Sequence, residues 1–253
     1  MSFEPPVVLK TRDELAVDAP LYYEVASNGV FQVRSTPVVE AVTLVSHEIP
    51  GLRPSRERLR MKFPPLPLEL VGDVVAFFRE VYECYEGEAI VVVFYHPERR
   101  SYRAAVPPQR IPAYRDYRGR LRASLRLEYG ISPRPPEHLP FGTIHSHADL
   151  SAYASGIDCD DERFGDGFHA IYGHFGTGSL SRCASFVTQG RRFRLDPSQV
   201  LPECEPGIRP APRAWMEQVT FEEAPAWGQK RRPWPGSADN APPLISVDEP
   251  GAA

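Results

Sequence analysis

Two histidines separated by a single residue are the strongest chemical signal in the sequence. His145 and His147 end the segment FGTIHSH, and Ser155 and Asp158 follow within eleven residues of His147. Side chains at positions i and i+2 of a strand point to the same face, so both imidazoles could reach one ion. Ser155 and Asp158 also have the spacing of a capping box at the start of a helix. Each half of the pattern therefore has a purely structural explanation, and only their conjunction points to chemistry.

The side chains taken together suit a metal centre. Two neutral imidazoles and a carboxylate can bind Zn²⁺ with bonds of about 2.0–2.2 Å. Three protein ligands leave the fourth position of a tetrahedral ion to water, which is typical of catalytic rather than structural zinc. His145, His147 and Asp158 are therefore the predicted ligands of one catalytic zinc ion.

The surrounding segments predict the elements that would position this site. Residues 66–84 carry apolar side chains at helical spacing, and residues 88–96 form the continuous apolar run of a buried strand. FGTIHSH is predicted to be a strand that ends at the histidines, and SGIDCDDERFG a short helix or turn. Further β segments are predicted at residues 101–108, 121–130, 167–175, 181–190 and 191–196.

The two ends of the chain differ from this central region, residues 63–200. Residues 21–36 predict a β-hairpin with a type I′ turn at Asn28-Gly29, so residues 1–62 are interpreted as a β-rich N-terminal extension. Residues 201–253 hold ten of the 28 prolines and all three tryptophans. We predict that this C-terminal segment is largely disordered, with one short helix at PRAWMEQV.

Composition limits the classes of function. A chain of 253 residues, 42% of them hydrophobic, can bury a substantial core. A formal net charge of −4 gives no reason to expect nucleic acid binding. The sequence shows neither a membrane-spanning apolar run nor a signal peptide, so a cytoplasmic protein is expected. The four cysteines form no CxxC pair, which argues against a disulfide framework.

Arginines are concentrated in residues 110–134. Seven arginines and no lysine lie there, whereas Asp116 and Glu128 are the only acids. The segment is either a solvated face or a basic surface that binds an acidic or carboxylate-bearing partner.

His145, His147, Ser155 and Asp158 match the signature His-x-His-x(7)-Ser-x(2)-Asp, and over roughly residues 66–197 the chain resembles the JAB/MPN domain metalloproteases that carry this JAMM motif. The resemblance implies that the two histidines and Asp158 bind zinc and that Ser155 hydrogen-bonds the tetrahedral intermediate. It also implies a general acid/base glutamate at the start of the strand after the first long helix. Glu88 occupies that place, and Glu86 is the alternative.

The same resemblance implies an α/β (α+β) fold of the JAB/MPN, cytidine deaminase-like type, in which helices flank a curved β-sheet. One departure is visible, because most members have proline after the second histidine and this chain has Ala148. The segment VPPQ and the surroundings of the histidines are similar to bacterial JAB proteins encoded beside E1-like and E2-like proteins, including PRTRC system protein A.

The implied activity is a zinc isopeptidase or peptidase that cleaves after the C-terminal glycine of a ubiquitin-like protein, with E1-like and E2-like proteins as possible partners. One alternative is a non-catalytic MPN scaffold that binds those partners. Another is a JAMM peptidase that acts on a sulfur-carrier protein precursor.

Overall fold

The fold is mixed α/β and is dominated by three β-sheets. The computed structural model describes residues 5–13, 17–45, 48, 51–124, 126–162, 165–204 and 209–223. Strands make up 41% of the described residues and helices 16%. No helix in this part of the chain is long and apolar enough to cross a membrane.

The N-terminal extension is a five-stranded sheet whose strands lie in chain order. Its strands are β1 (Val7–Leu9), β2 (Leu21–Ala26), β3 (Gly29–Ser35), β4 (Val39–Leu44) and β5 (Arg58–Met61). Phe31, Val33 and Val42 form a small core within it. Contacts between this sheet and the rest of the chain include the hydroxyl of Thr43, which donates to Oε1 of Gln189 at 2.6 Å, and the ion pair of Arg34 with Asp166.

The β2–β3 hairpin is present, but the predicted type I′ turn at Asn28-Gly29 is wrong. Ala26 pairs with Gly29, so the two turn residues are Ser27 and Asn28. Asn28 does not adopt the positive φ that a type I′ turn requires. Its carboxamide instead bonds both the N–H and the carbonyl of Ser55, so a long-range contact determines the turn.

The main domain consists of helix α1 (Leu68–Tyr85) and a six-stranded sheet. The strands are β6 (Ile90–His96), β7 (Ser101–Ala105), β11 (Leu139–Ser146), β12 (Gly167–Gly173), β13 (Ser181–Thr188) and β14 (Arg191–Leu195). Their order across the sheet is β14-β13-β12-β11-β6-β7. The β13–β14 hairpin turns at Gln189 and Gly190, as predicted, and both have positive φ.

Helix α1 covers one face of this sheet. Its buried residues Val74 and Phe78 belong to the same hydrophobic cluster as Ile144 of β11 and Ala170 of β12. Because side chains alternate along a strand, His145 points to the opposite face. Burial on the α1 side therefore fixes the register that presents the histidines on the other side.

Gly142 allows the close pairing of β11 with β12. Its φ is 155°, and a Cβ atom there would lie 1.7 Å from the carbonyl oxygen of Phe168. The β6–β11 register also shifts between Pro140 and Gly142. Any side chain at position 142 would separate these two strands just before the histidines.

A second sheet forms around β8 (Gln109–Arg115), and it corrects the prediction of one continuous strand over residues 121–130. β9 (Leu121–Ala123) and β10 (Glu128–Tyr129) pair separately with β8. Both strands therefore share one partner.

The C-terminal segment is ordered at its beginning. After α3 (Pro197–Val200), residues 209–223 form α4 (Arg213–Met216) and β15 (Val219–Glu223), which pairs in parallel with β8. The ring of Trp215 in α4 packs edge-on against Phe77 at 5.7 Å, as expected for the short helix. Residues 224–253, for which disorder is predicted, lie outside the described residues.

Candidate metal centre

The structure brings the three predicted zinc ligands together at the end of β11. Nε2 of His145 lies 3.3 Å from Nε2 of His147 and 3.3 Å from Oδ1 of Asp158. Nε2 of His147 lies 3.4 Å from Oδ2 of Asp158. In the described part of the chain, this is the one group of at least three His, Cys, Asp or Glu side chains whose donor atoms converge within 4.8 Å.

These distances fit a small tetrahedral cation. With bonds of about 2.0–2.1 Å, the ligand atoms of a tetrahedral zinc ion lie about 3.3–3.4 Å apart. Nδ1 of His147 lies 3.3 Å from the carbonyl oxygen of Ser151. A proton held on Nδ1 by that carbonyl leaves the lone pair of Nε2 directed at the other two ligands. The donor set and its geometry therefore both suit zinc.

Helix α2 (Gly156–Asp161) carries the third ligand, and its first turn aims the carboxylate. Ser155 is the N-cap: its Oγ accepts from the N–H of Asp158 at 3.2 Å. The N–H of Ser155 donates to Oδ2 of Asp158 at 2.7 Å, which completes the predicted capping box. The capping box and the metal site are thus one arrangement, because the cap directs Asp158 toward the histidines.

Burial and hydrogen bonding move the pKa values of the ligands in opposite directions. Burial works to raise the pKa of Asp158, but hydrogen bonds with His145 and His147 outweigh it and hold the pKa far below its usual range. Burial works to lower the pKa of His147, but the bond with Asp158 and the charge of Glu88 raise it overall. Without metal, the site therefore holds a carboxylate that stabilises a proton on His147.

Glu88 lies beside this group because β6 and β11 are antiparallel. The register pairs Ile90 with His145, and its continuation places Glu88 opposite His147. Ser146 fixes the intervening position: its N–H donates to the carbonyl of Ala89, and its Oγ accepts from the N–H of Ala89, both at 2.9 Å. The structure thus brings Glu88 to the ligands, although the strand itself begins at Ile90.

A buried glutamine fixes the backbone just after Glu88. The carboxamide of Gln109 accepts from the N–H of Ile90 at 2.9 Å and donates to its carbonyl at 3.0 Å. Strand β7 ends at Ala105, and Pro107 and Pro108 have no N–H to continue the ladder. The side chain of Gln109 therefore makes the two hydrogen bonds to Ile90 that a neighbouring strand would otherwise make. Sequence reasoning gave Gln109 no role, and VPPQ indicated only a similarity to bacterial JAB proteins.

Glu86, the alternative base, points elsewhere. It follows α1 with a left-handed φ of 53°, and its carboxylate forms an ion pair with Arg122. Glu88, by contrast, interacts electrostatically with both His147 and Asp158. The geometry therefore favours Glu88 as the residue that could exchange protons at the site.

An open cavity of about 630 Å³ lies next to this segment. It is lined by Glu86, Tyr114, Arg115, Asp116, Tyr117, Arg122 and Ala123. Gly87 packs so closely that a Cβ atom there would lie 2.8 Å from Cγ2 of Ile111 and 3.4 Å from Cβ of Ala123. The residue before Glu88 thus packs against Ala123, which lines the cavity.

Most arginines of the arginine-rich segment pair with acids, some from other parts of the chain and some from within the segment. Four of its seven arginines form ion pairs: Arg110 with Glu128 and Glu222, Arg115 with Glu223, Arg120 with Asp116, and Arg122 with Glu86 and Asp116. Arg118 lies over the ring of Tyr117 at 5.1 Å. These contacts favour the interpretation of a solvated face over that of a surface that grips carboxylates.

Ala148, where most JAMM proteins have proline, adopts a positive φ of 47°. Proline is restricted to a φ near −65°, so it could not occupy this backbone. The carbonyl of Ala148 accepts from the N–H of Phe175 at 3.1 Å, which fixes the loop in this conformation. The backbone at position 148 is therefore incompatible with proline.

No protein-family model matches the chain, and no curated protein matches it.

The position of Glu88 predicts a stability change that depends on pH. Burial raises its pKa from 4.5 to about 7; His147 opposes this and Asp158 adds to it. Because the folded state binds the proton more tightly than the unfolded state, its stability decreases as pH rises from 4.5 through 7. Glu88→Gln removes this titration and should stabilise the metal-free protein by about 3 kcal/mol at pH 8, with little effect at pH 4.5. Urea unfolding of the wild type and the variant, with chelator present, measures the free energy of unfolding at both pH values.

Glu86→Gln is the matched control for this experiment, because Glu86 is exposed and two residues away. Equal effects of Glu88→Gln at pH 4.5 and pH 8 would contradict the raised pKa.

Proposed function

We propose that the chain is a zinc-dependent isopeptidase or peptidase of the JAB/MPN type, which cleaves after the C-terminal glycine of a ubiquitin-like protein. The convergence of His145, His147 and Asp158 carries this proposal. The supporting observation is that the donor atoms of these three residues, which match the JAMM signature, lie within 3.4 Å of one another. This geometry is suited to zinc. The mixed α/β architecture is compatible with the JAB/MPN fold.

The chain's own groups have distinct roles in the proposed reaction. His145, His147 and Asp158 would hold the zinc ion, which when bound supplies a Lewis acid for the scissile carbonyl and lowers the pKa of the attacking water. Glu88, with a pKa of about 7, is suited to accept a proton from that water and to deliver it to the leaving amine. Hydrolysis of the amide then yields the glycine carboxylate and the free amine.

Ser155 has a double role in this scheme. Its Oγ accepts a bond from the N–H of Asp158, and it retains its own hydroxyl proton to donate. That proton can stabilise negative charge on the carbonyl oxygen as the tetrahedral intermediate forms. The same residue would thus hold Asp158 and assist the reaction.

Zinc content and cleavage together test the proposal. Protein purified without chelator should contain about one zinc ion per chain by elemental analysis. It should also cleave a ubiquitin-like protein fused through its terminal glycine to a reporter, with product masses that place the cut after the glycine. Protein without metal would favour the scaffold function. If the protein binds zinc but cleaves only a sulfur-carrier precursor, the proposed substrate is wrong and the proposed hydrolytic chemistry stands.

A further inference from the structure

Helix α2 carries Asp158 but has no apolar face to hold it on the sheet. It spans six residues, and Gly156, Cys159 and Asp160 are exposed. Its one large apolar side chain, Ile157, is 68% exposed. Helices this short are not stable by their own hydrogen bonds, and most gain stability by packing an apolar face. Contacts of another kind must therefore fix its position.

Glu162, the residue directly after α2, makes such contacts. It is 9% exposed, and its carboxylate forms an ion pair with Arg192 of β14. The other carboxylate oxygen lies 3.3 Å from Nδ1 of His169 in β12. Arg192 also donates from Nη1 to Oγ of Ser185 in β13 at 2.7 Å. One buried carboxylate thus joins the end of the helix to three neighbouring strands.

His169 completes this cluster without joining the metal ligands. Its Nδ1 lies 2.9 Å from Oγ1 of Thr143, two residues before His145 on β11. Burial, then the charges of Arg192 and His145, lower the pKa of His169 to about 3, so the ring is neutral. The cluster therefore extends along the same face of the sheet as the metal site and packs beside it.

The backbone connects the cluster directly to the third ligand. The N–H of Glu162 donates to the carbonyls of Asp158 and Asp160. At the other end of the helix, Ser155 holds the carboxylate of Asp158 through the capping box. Asp158 therefore lies between two fixed points, each about one helical turn away from it.

We propose that Glu162 and Arg192 are positioning residues, which anchor α2 to β14 and so preset Asp158 for metal binding. The inference rests on the proposed metal centre for its functional meaning, but the anchoring itself does not depend on metal. Neither residue touches the ion; both act through the placement of the helix. Ligands that are held in place before binding lose less conformational entropy, so the anchor should appear in the metal affinity.

The double variant Glu162→Leu/Arg192→Met tests the proposal, because it removes both charges of the pair and keeps apolar volume. Zinc affinity is measured by competition with a chromophoric chelator, and we expect it to fall about tenfold or more. The visible spectrum of the Co²⁺-substituted protein should shift, since Asp158 no longer has one fixed position. In zinc-free protein, amide hydrogen exchange across residues 156–162 should become at least about tenfold faster.

Glu162→Gln and Arg192→Lys are milder variants should the double variant fail to fold. Glu162→Gln still accepts a bond from Arg192 and should keep nearly wild-type affinity. The lysine in Arg192→Lys lacks the planar guanidinium whose donors bind Glu162 and Ser185 at the same time. Zinc binding should therefore weaken about threefold. The matched control is the Lys10–Glu24 pair of the N-terminal sheet, whose side chains are 7% and 1% exposed. Lys10→Met/Glu24→Leu should leave zinc affinity unchanged.

The outcomes separate this inference from the proposed function. A wild-type protein that binds no zinc contradicts the metal centre, while hydrogen exchange in the zinc-free protein still decides whether the pair anchors α2. The anchoring proposal would be overturned if the double variant kept both the zinc affinity and the amide hydrogen exchange of the wild type. If the double variant does not fold, the same two results for Arg192→Lys would overturn it.

Discussion

His147→Ala is expected to weaken zinc binding at least about a hundredfold, so that the purified variant holds less than one ion per chain. The substitution removes one of three converging donors, and each ligand contributes several kcal/mol of the about 10–16 kcal/mol with which structural zinc sites bind. Elemental analysis of the purified protein and chelator competition measure the loss. His174→Asn is the control, since His174 is in a turn outside the cluster at a φ of 63°, which asparagine tolerates.

The same site should lose zinc as pH falls. The pKa of His147 is raised by its contacts with Asp158 and Glu88, which outweigh the opposite effect of burial. Zinc must displace that proton, so the zinc affinity should increase with pH until the ring is neutral and then level off.

Zinc binding by His147→Ala at wild-type affinity would contradict the ligand assignment.

Glu88→Gln is expected to lower hydrolysis by about a hundredfold to ten-thousandfold while zinc remains bound. The amide keeps the size and much of the hydrogen bonding of the carboxylate, but it cannot accept a proton from water. The assay is cleavage of the ubiquitin-like fusion, with zinc measured in the same sample. Glu86→Gln, which alters the ion pair with Arg122, should leave the rate within about threefold of wild type.

Full activity of Glu88→Gln would show that Glu88 is not the general acid/base. Loss of activity together with loss of zinc would show that Glu88 is needed to retain the metal instead. The decisive result is a zinc-loaded but inactive protein.

The ligand triad was predictable because its geometry is local. His145 and His147 alternate on one strand, and Asp158 follows within a single turn and a short helix, so spacing alone indicates convergence. Glu88 is far away in the sequence, and only the resemblance to the JAMM proteins indicated it. Its true position depends on the antiparallel pairing of β6 with β11, which no spacing in the chain reveals.

The residues that sequence reasoning missed act over long distances. Gln109 replaces a missing strand, and Glu162 meets Arg192 across 30 residues; neither partner is visible in a local pattern. Long-range contacts also explain two of the errors in secondary structure. Asn28 is held by Ser55 rather than by its own turn, and residues 121–130 divide into two strands because both short pieces pair with β8. Local propensity therefore predicted the strands of the main sheet, but it missed β8 and β15 of the second sheet.

The two bonds between Gln109 and Ile90 have a consequence for the energetics of the proposed reaction. Gln109 belongs to the second sheet and is fully buried, and Ser146 of the main sheet holds Ala89 from the other side. The peptide groups that follow Glu88 are thus immobilised before any substrate arrives. On the proposed mechanism, binding would not have to order the general base, and reorganisation of this segment would add little to the activation barrier.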